Sequence, residues 1–518
     1  MKLAKTFMIQ GTASSVGKST LVTGLCRIFA QEGYRVAPFK AQNMSLNAAV
    51  THTGGEIGRA QATQAEAAGI EPTVEMNPIL LKPESHSRSQ VIVMGRPLAA
   101  MEAREYYHHR TGFLKIVHDA LNTLRQEYDL VMIEGAGSPV ELNLAHYDLV
   151  NMRVAQIADA PVLLVGDIDQ GGIFASMLGT LMLLQPEERL RVKGLIVNKF
   201  RGDLSLWQSG EQLLATRSGV PVLGTIPFLN HLQIAEEDSV ALEKGTAMVL
   251  HPQHTEAAQL HVVLVRLPYL SNYDEFDALA ADPLIRLHVV AQPQEFPEHP
   301  DLIVLPGTKN TFSDLSWLWR QGLAQHIRQC ANQGSAVLGI CGGYQMLGER
   351  VSDPSGAETD AGAVERGLGL LPLETVFASL RDKVTRRCQV QIAPLARRGL
   401  FAGMGEYSFH VYQIHLGRTT ALDRTPLRGT EAFYVETGER DGWLSPDGWC
   451  AGSYLHGLFE NTAFQHTIRE ALLQRKSERS LLPEHPLFSR QSEYDRLADV
   501  LRQHLNLRQM KELCHLVG

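Results

Sequence analysis

The stretch Gly11-Thr12-Ala13-Ser14-Ser15-Val16-Gly17-Lys18-Ser19-Thr20 decides how the first half of the chain reads. An apolar run, Thr6–Gln10, precedes it, and a helical pattern from Lys18 to Glu32 follows. A small-residue loop between strand and helix presents backbone N–H groups, and the helix N-terminus adds positive potential, so phosphate oxygens are the natural ligand. Lys18 is placed to neutralise β- and γ-phosphates, and the Ser19 hydroxyl to reach Mg²⁺. Thr12 stands where the strict GxxxxGK[ST] spacing wants its first glycine, with Gly11 one residue further out. A glycine–serine helix cap is the bland alternative, and the order strand, loop, Gly-Lys-Ser-Thr, helix weighs against it.

Working outward, Tyr34–Pro38, Leu130–Ile133, Pro161–Val165, Gly194–Val197 and Val222–Ile226 are short Val/Ile/Leu runs without clean alternation. Strands buried on both faces have that pattern, so a doubly wound parallel sheet covered by helices is expected. A nucleotide site needs a carboxylate for its metal. Leu130-Val131-Met132-Ile133-Glu134-Gly135-Ala136-Gly137 supplies one at a strand end, followed by small residues that let a ligand approach, so Glu134 joins Ser19 as metal candidate. Asp167 and Asp169 are weaker candidates, because either equally caps the turn at Gly171-Gly172. Asn198-Lys199 ends another strand, where a base-reading loop would lie, although Asn-Lys is also an ordinary strand-end turn.

A second α/β pattern starts near residue 260, with strands expected at Leu260–Arg266, Leu287–Val290, Leu302–Leu305 and Ala336–Ile340. Leu370–Ala378, Gln389–Ile392 and Gly405–Leu416 suit an antiparallel excursion. The last of the parallel strands runs into Gly339-Ile340-Cys341-Gly342-Gly343-Tyr344-Gln345, a G-x-C-x-G turn whose flanking glycines permit the strained elbow that exposes a nucleophile. A helix N-terminus there favours thiolate. The alternative, a small buried residue at a strand end, fits the glycines less well. Cys330 has no such setting and reads as a structural thiol. A thiol nucleophile needs a base. His456, in Tyr454-Leu455-His456-Gly457, is the choice among 20 histidines, with His415 as competitor. Gly307, after the strand Leu302–Leu305, and Gly342 are candidates to donate N–H groups to an oxyanion.

The 518 residues carry a net charge of −8, are 44% hydrophobic and 20% charged, and include six cysteines with no CxxC pair. This composition excludes disordered, collagenous and rod-like chains and disfavours non-specific nucleic-acid binding. The cysteine usage fits a reducing, cytoplasmic compartment. No secretory signal and no run of about 18 apolar residues is seen, so no membrane partner is expected. Expected boundaries are 1–235 for the nucleotide domain, 236–259 for a linker of altered composition, 260–475 for the cysteine domain and 476–518 for a helical C-terminal extension.

These residues also carry resemblances. The Gly11–Thr20 loop with the strand-end Glu134-Gly135-Ala136-Gly137 resembles the dethiobiotin-synthetase-like P-loop group, which uses ATP to phosphorylate a carboxylate. That likeness implies phosphate and metal roles for Lys18, Ser19 and Glu134, a base-reading role for Asn198, and a place beside the transferred phosphate for Lys40. Relatives often have an aspartate soon after that lysine, where this chain has Asn43. The second half resembles class I (triad) glutamine amidotransferase domains, with Cys341 and His456 at the nucleophile and base positions. The usual glutamate two residues after the histidine is Leu458 here, so the orienting carboxylate has no assignment. The order of the halves, with Phe39-Lys40-Ala41-Gln42-Asn43-Met44-Ser45 and Asn77-Pro78-Ile79-Leu80-Leu81-Lys82-Pro83, resembles the cobyric acid synthase family over nearly the whole chain.

Membership would imply ATP and Mg²⁺ as cofactors, and glutamine and adenosylcobyrinic acid a,c-diamide as substrates. The b, d, e and g carboxylates would be amidated in cobalamin biosynthesis. His415 and its neighbours would then be candidates for the corrinoid side. A related a,c-diamide synthase is the near alternative. A P-loop ATPase switch with a retired glutaminase domain is the alternative of another class, and Ala13, where such switches carry a lysine, counts against it. Oligomeric state stays open, a homo-oligomer included.

Overall fold

The computed structural model describes residues 3–84, 88–229, 259–377, 379–422, 429–476 and 489–513, together with 232, 234, 515 and 516. The chain forms two compact units. Met1–Ser45, Gly55–Glu237 and Ser489–Gly518 make the first, and Leu46–Gly54 with Asp238–Phe488 the second. Nearly all of the expected linker 236–259 lies outside the described residues; only Gln259 is among them.

In the first unit a six-stranded sheet among the described residues runs in the order Val222–Pro227, Val192–Phe200, Val162–Asp167, Lys5–Gly11, Leu130–Glu134, Val36–Phe39. All its pairings are parallel. Helices cover both faces, which is why the strands read as continuous apolar runs. Lys5–Gly11 lies between Leu130–Glu134 and Val162–Asp167, so the carboxyl ends of three strands converge where the loop 12–17 begins. Ligands of open parallel sheets bind at that edge. The helix Lys18–Gln31 starts from Gly17, whose φ is +96°; a Cβ there would also lie 2.2 Å from Asn198 Nδ2. Both observations require glycine at this position.

The C-terminal helix Arg490–His504 packs within this first unit. Leu497 and Leu501 are fully buried, and a Cβ on Gly24 of the helix Lys18–Gln31 would meet Leu501 Cδ1 at 2.4 Å. Arg27 pairs with Asp495 at 2.8 Å, and Tyr494 Oη donates to Glu66 Oε2 at 3.1 Å. The segment expected as an appended extension thus buttresses the helix that opens at the phosphate loop.

In the second unit, ten strands among the described residues form one sheet. Its parallel part runs Ile285–Val290, Leu260–Val265, Leu302–Leu305, Ala336–Ile340, Cys450–Ser453. Two of the three runs expected in the antiparallel excursion join this sheet, where Val384–Ile392 pairs antiparallel with Phe409–His415 and with Thr430–Val435, whereas Leu373–Val376 lies in a separate four-stranded sheet and pairs parallel with Arg350–Asp353. Leu46–Gly54, although early in the chain, belongs to this unit. Asn272 N donates to Asn47 Oδ1 at 2.8 Å, Ala48 N donates to Asn272 Oδ1 at 2.9 Å, and Arg387 Nε donates to the Val50 carbonyl at 2.6 Å. Among the described residues no helix is long and apolar enough to cross a membrane.

Truncating a buried leucine without refilling its space costs about 2–5 kcal/mol. Leu501→Ala is therefore expected to lower the stability of the first unit by about that amount. Denaturant unfolding followed by limited proteolysis checks it: protection should be lost in residues 3–45, 55–84 and 88–229 before residues 259–377.

Candidate active sites

In the first unit the centre of the site is Glu134, which has no solvent exposure. A buried carboxylate must be paired and hydrogen-bonded to stay ionised. Ser19 Oγ donates to Glu134 Oε1 at 2.7 Å, Lys40 Nζ lies 3.0 Å from the same oxygen, and Gln64 Nε2 donates to Oε2 at 2.5 Å. Burial opposes the charge, but Lys40, Gln64 and Ser19 outweigh it and hold the Glu134 carboxyl below the ordinary range. Three elements meet on this group: the start of the helix Lys18–Gln31, the end of the strand Val36–Phe39, and the helix Arg59–Ala67.

Lys18 Nζ donates to the Ala13 carbonyl at 2.9 Å and to the Gly137 carbonyl at 3.2 Å, so its ammonium spans the two loops that flank the site. Gly11, Thr12 and Thr20 lie in the same strand–loop–helix turn. Asn198 Nδ2 donates to the Val16 carbonyl at 2.8 Å, and Lys199 Nζ to the Ser15 carbonyl at 2.7 Å. The Asn198 amide nitrogen therefore braces the phosphate loop. Asp167 pairs with Lys199 at 3.1 Å and Asp169 with Arg201 at 2.7 Å; both carboxylates are engaged with strand-end cations rather than with Ser19. An oxygen-rich set of Ser19 Oγ and Glu134, with the buried Gln64 Oε1 beside it lacking a partner among the described residues, suits a hard cation such as Mg²⁺.

Sequence reasoning assigned no role to Gln64. Its signal was present: Arg59, Gln61 and Gln64 are polar residues on a short helix whose other positions are mostly alanine, and all three are buried.

In the second unit Cys341 stands between the strand Ala336–Ile340 and the helix Gly342–Leu347 with φ +52° and ψ −108°. That conformation is strained for any residue with a Cβ, and its persistence requires tight surroundings. Gly343 provides them: a Cβ there would lie 2.0 Å from the Leu305 carbonyl oxygen, so this helix docks where no side chain fits. Gly343 N donates to the Pro306 carbonyl at 3.0 Å. Gly342 occupies the first helical position, where an N–H has no intrahelical acceptor, and its α-carbon faces Thr308.

His456 is brought beside Cys341, whose charge acts on its ring. The ring stacks on Tyr412, with centroids 5.2 Å apart, and a Cβ on Gly307 would touch its Cε1 at 3.0 Å. Gly307 and Cys341 thus both lie beside the His456 ring. The orienting carboxylate left unassigned by sequence is Glu275. Its Oε1 lies 3.0 Å from His456 Nδ1, and its Oε2 accepts from Gly457 N at 3.2 Å. Both side chains are 1% exposed. Burial pulls the imidazole pKa down, but the charges of Glu275 and Cys341 and their hydrogen bonds lift it to about 10. Glu275 was missed because it lies on the short turn Tyr273–Phe276, 181 positions before His456, with no local motif around it. Asn272, at φ +54°, starts that turn and holds Asn47 and Ala48.

His415, the competing base, stacks on Tyr454 at 3.7 Å and has Nδ1 3.1 Å from the Gly417 carbonyl. Burial pushes its pKa down to about 4, so it is neutral near pH 7 and carries no carboxylate partner on Nδ1. The Cys341 thiol donates to the carbonyl of the adjacent Ile414 at 3.3 Å, which keeps His415 at the edge of the same site. Cys330 is buried, and burial raises its thiol pKa. Among the described residues every cysteine is free; Cys514 lies outside them.

Comparison with known proteins matches each unit's chemistry. Residues 7–241 match the CobQ/CobB/MinD/ParA nucleotide binding domain, and residues 261–464 the CobB/CobQ-like glutamine amidotransferase domain. The cobyric acid synthase of Dehalococcoides mccartyi (strain CBDB1) is 46% identical over 513 residues, which covers 98% of this chain and 98% of that protein. The cobyric acid synthase of Sorangium cellulosum (strain So ce56) is 46% identical over 517 residues, covering 97% of each. That of Chloroflexus aggregans (strain MD-66 / DSM 9485) is 49% identical over 469 residues, covering 89% of this chain and 90% of that protein.

The His456–Glu275 pair carries a pH signature. Because the folded imidazole has its pKa raised to about 10, the pair's stabilisation is complete below the unfolded histidine value of about 6.5 and fades as pH rises toward 10. Glu275→Gln should therefore be less stable than the wild type at pH 7, with the gap closing by pH 10. Denaturant midpoints measured across that range test this, and parallel profiles would count against the ion pair.

Proposed function

The chain belongs to the cobyric acid synthase family, and on that premise we propose how its residues perform the family's reaction. It is a glutamine-hydrolysing carbon–nitrogen ligase. The substrates are ATP, glutamine and adenosylcobyrinic acid a,c-diamide, whose b, d, e and g carboxylates become amides in cobalamin biosynthesis. The observation that supports the reading best is the presence, in one chain, of an ATP-type site around Lys18 and Glu134 and a Cys341–His456–Glu275 triad. Relatives named cobyric acid synthase match nearly the whole chain, which does not favour the a,c-diamide synthase. An intact triad is also the opposite of what a retired glutaminase domain would keep.

Carboxylates do not condense with ammonia at neutral pH, because hydroxide or oxide is a poor leaving group. In the first unit a substrate carboxylate oxygen attacks the γ-phosphorus of ATP; the bond to the β–γ bridging oxygen breaks and ADP leaves. Lys18 and Lys40 hold the charge that spreads over the transferring phosphoryl group. The phosphate loop Gly11–Gly17, Thr12 included, with Thr20 in the first turn of the helix that follows and Asn198 as its brace, holds the nucleotide. Ser19 and Glu134 would hold Mg²⁺, which when bound supplies charge neutralisation on the phosphate oxygens.

In the second unit the Cys341 proton is held on His456 as an ion pair, and the thiolate attacks the side-chain amide carbon of glutamine. The N–H groups of Gly307 and Gly342 receive the developing oxyanion. His456 returns the proton to the leaving nitrogen, ammonia departs, and water hydrolyses the γ-glutamyl thioester. Glu275 fixes the ring tautomer and supports the imidazolium, the role of the third member of a triad. Ammonia then attacks the acyl carbon and releases phosphate. Each amide formed consumes one ATP and one glutamine and yields ADP, phosphate and glutamate. His415 is assigned to the corrinoid-side or glutamine-side rim, not to proton transfer. We place the reaction in the cytoplasm, consistent with five free thiols among the described residues.

Mass spectrometry of the corrinoid product tests the assignment. Four successive carboxylate-to-amide exchanges are expected; two would point to the a,c-diamide synthase. Cys341→Ala should lose amidation with glutamine and keep it with ammonium salt. Lys18→Ala should lose roughly 100-fold or more with either nitrogen source, as removal of a transition-state charge partner does.

A further inference from the structure

The helix Arg59–Ala67 presents two glutamines one turn apart, Gln61 and Gln64, and neither has any solvent exposure. Residues three apart share a helix face. Gln64 shows where that face points, because its Nε2 donates to Glu134, the carboxylate joined to Lys40 and Ser19. Gln61 Oε1 accepts from Asn43 Nδ2 at 2.9 Å. This bond sets the sense of the Gln61 amide and leaves Nε2 as the outward end. Among the described residues Gln61 Nε2 has no hydrogen-bond partner, and neither has Gln64 Oε1. Buried amide groups are rarely left unpaired, and the exceptions call for an explanation.

The surroundings are built to carry this pair. Asn77 Nδ2 donates to the Lys40 carbonyl at 3.1 Å, and Gly58 N donates to Asn77 Oδ1 at 2.9 Å. A Cβ on Gly58 would lie 2.5 Å from Asn43 Nδ2 and 2.7 Å from Gln61 Oε1, so the amides rest directly on glycine backbone. Asn43, Gln61, Gln64 and Asn77 form a chain of neutral amides next to Lys40 and Glu134.

We infer that Gln61 Nε2 donates to the acceptor carboxylate of the substrate and orients it for attack on the γ-phosphorus. The inference rests on the carboxylate-phosphorylating reading above and adds the subsite that receives the carboxylate. Charge explains the choice of residue. A lysine or arginine at this position would pair with the carboxylate and lower its nucleophilicity, and an aspartate or glutamate would repel it. An amide N–H aligns one oxygen and leaves the charge on the group. The phosphates have their own cations in Lys18 and Lys40, so the neutral shell is left to the acceptor. Gln61 is thus a positioning residue that touches substrate.

The test uses the full chain with Gln61→Met, which keeps length and loses the donor, and Gln61→Glu, which puts a like charge beside the substrate. Binding of adenosylcobyrinic acid a,c-diamide is followed by equilibrium dialysis without ATP, alongside KM for ATP and glutamine hydrolysis. Loss of one hydrogen bond to a charged group predicts a roughly 10- to 100-fold weaker corrinoid affinity for Gln61→Met, and a larger loss for Gln61→Glu. The ATP KM and glutamine hydrolysis should stay near wild type. Unchanged corrinoid binding in both variants, or a rise confined to the ATP KM, overturns the inference. A wild-type chain that amidates no corrinoid acid overturns the underlying reading instead, so the two failures are distinct.

Discussion

The cost of burying a charge shapes both sites. Glu134 in the first unit and Glu275 in the second are carboxylates almost wholly removed from water. An isolated ion there would be displaced toward its neutral form, so each must be surrounded by donors. Glu134 obtains them from Ser19, Lys40 and Gln64, and Glu275 from His456 and the Gly457 N–H. Each carboxylate therefore dictates where two or three chain segments must lie. In the first unit those segments are the start of the phosphate-loop helix, the Lys40 strand end and the Gln61–Gln64 helix. In the second they are the Asn272–Phe276 turn and the loop that carries His456.

The two units use different devices for their reacting groups. In the second, backbone strain does the positioning: Cys341 is held at φ +52° because Gly343 packs against the Leu305 carbonyl with no room for a side chain. In the first, the loop turns through Ser15 at φ +59° and Gly17 at φ +96° and is braced by Asn198 and Lys199 through backbone carbonyls. The buttress behind it is the C-terminal helix, whose Leu497 and Leu501 complete the apolar face of Lys18–Gln31. A segment near the end of the chain thereby supports the loop near its beginning.

The phosphate loop, the parallel strands that carry it, Glu134, the Cys341 elbow and His456 were all legible in the amino-acid sequence. Each is a local pattern in which a strand ends, small residues follow and a functional side chain sits within a few positions. Backbone geometry makes those neighbours adjacent in space whatever the rest of the fold does. The antiparallel excursion was legible only in part: Gln389–Ile392 and Gly405–Leu416 fall in it, whereas Leu370–Ala378 contributes its strand to another sheet.

What tertiary structure alone decided are the partners drawn from far along the chain. Glu275 meets His456 across 181 positions, Gln64 meets Glu134 across 70, and Arg27 meets Asp495 across 468. The order of strands in each sheet sets such meetings, and no residue spacing encodes that order. Leu458 marks the limit: the absence of the usual carboxylate beside His456 was readable, but its replacement was not. Local chemistry names the groups a reaction needs, whereas the burial of their charges, which selects the distant residues that must surround them, exists only once the chain has folded.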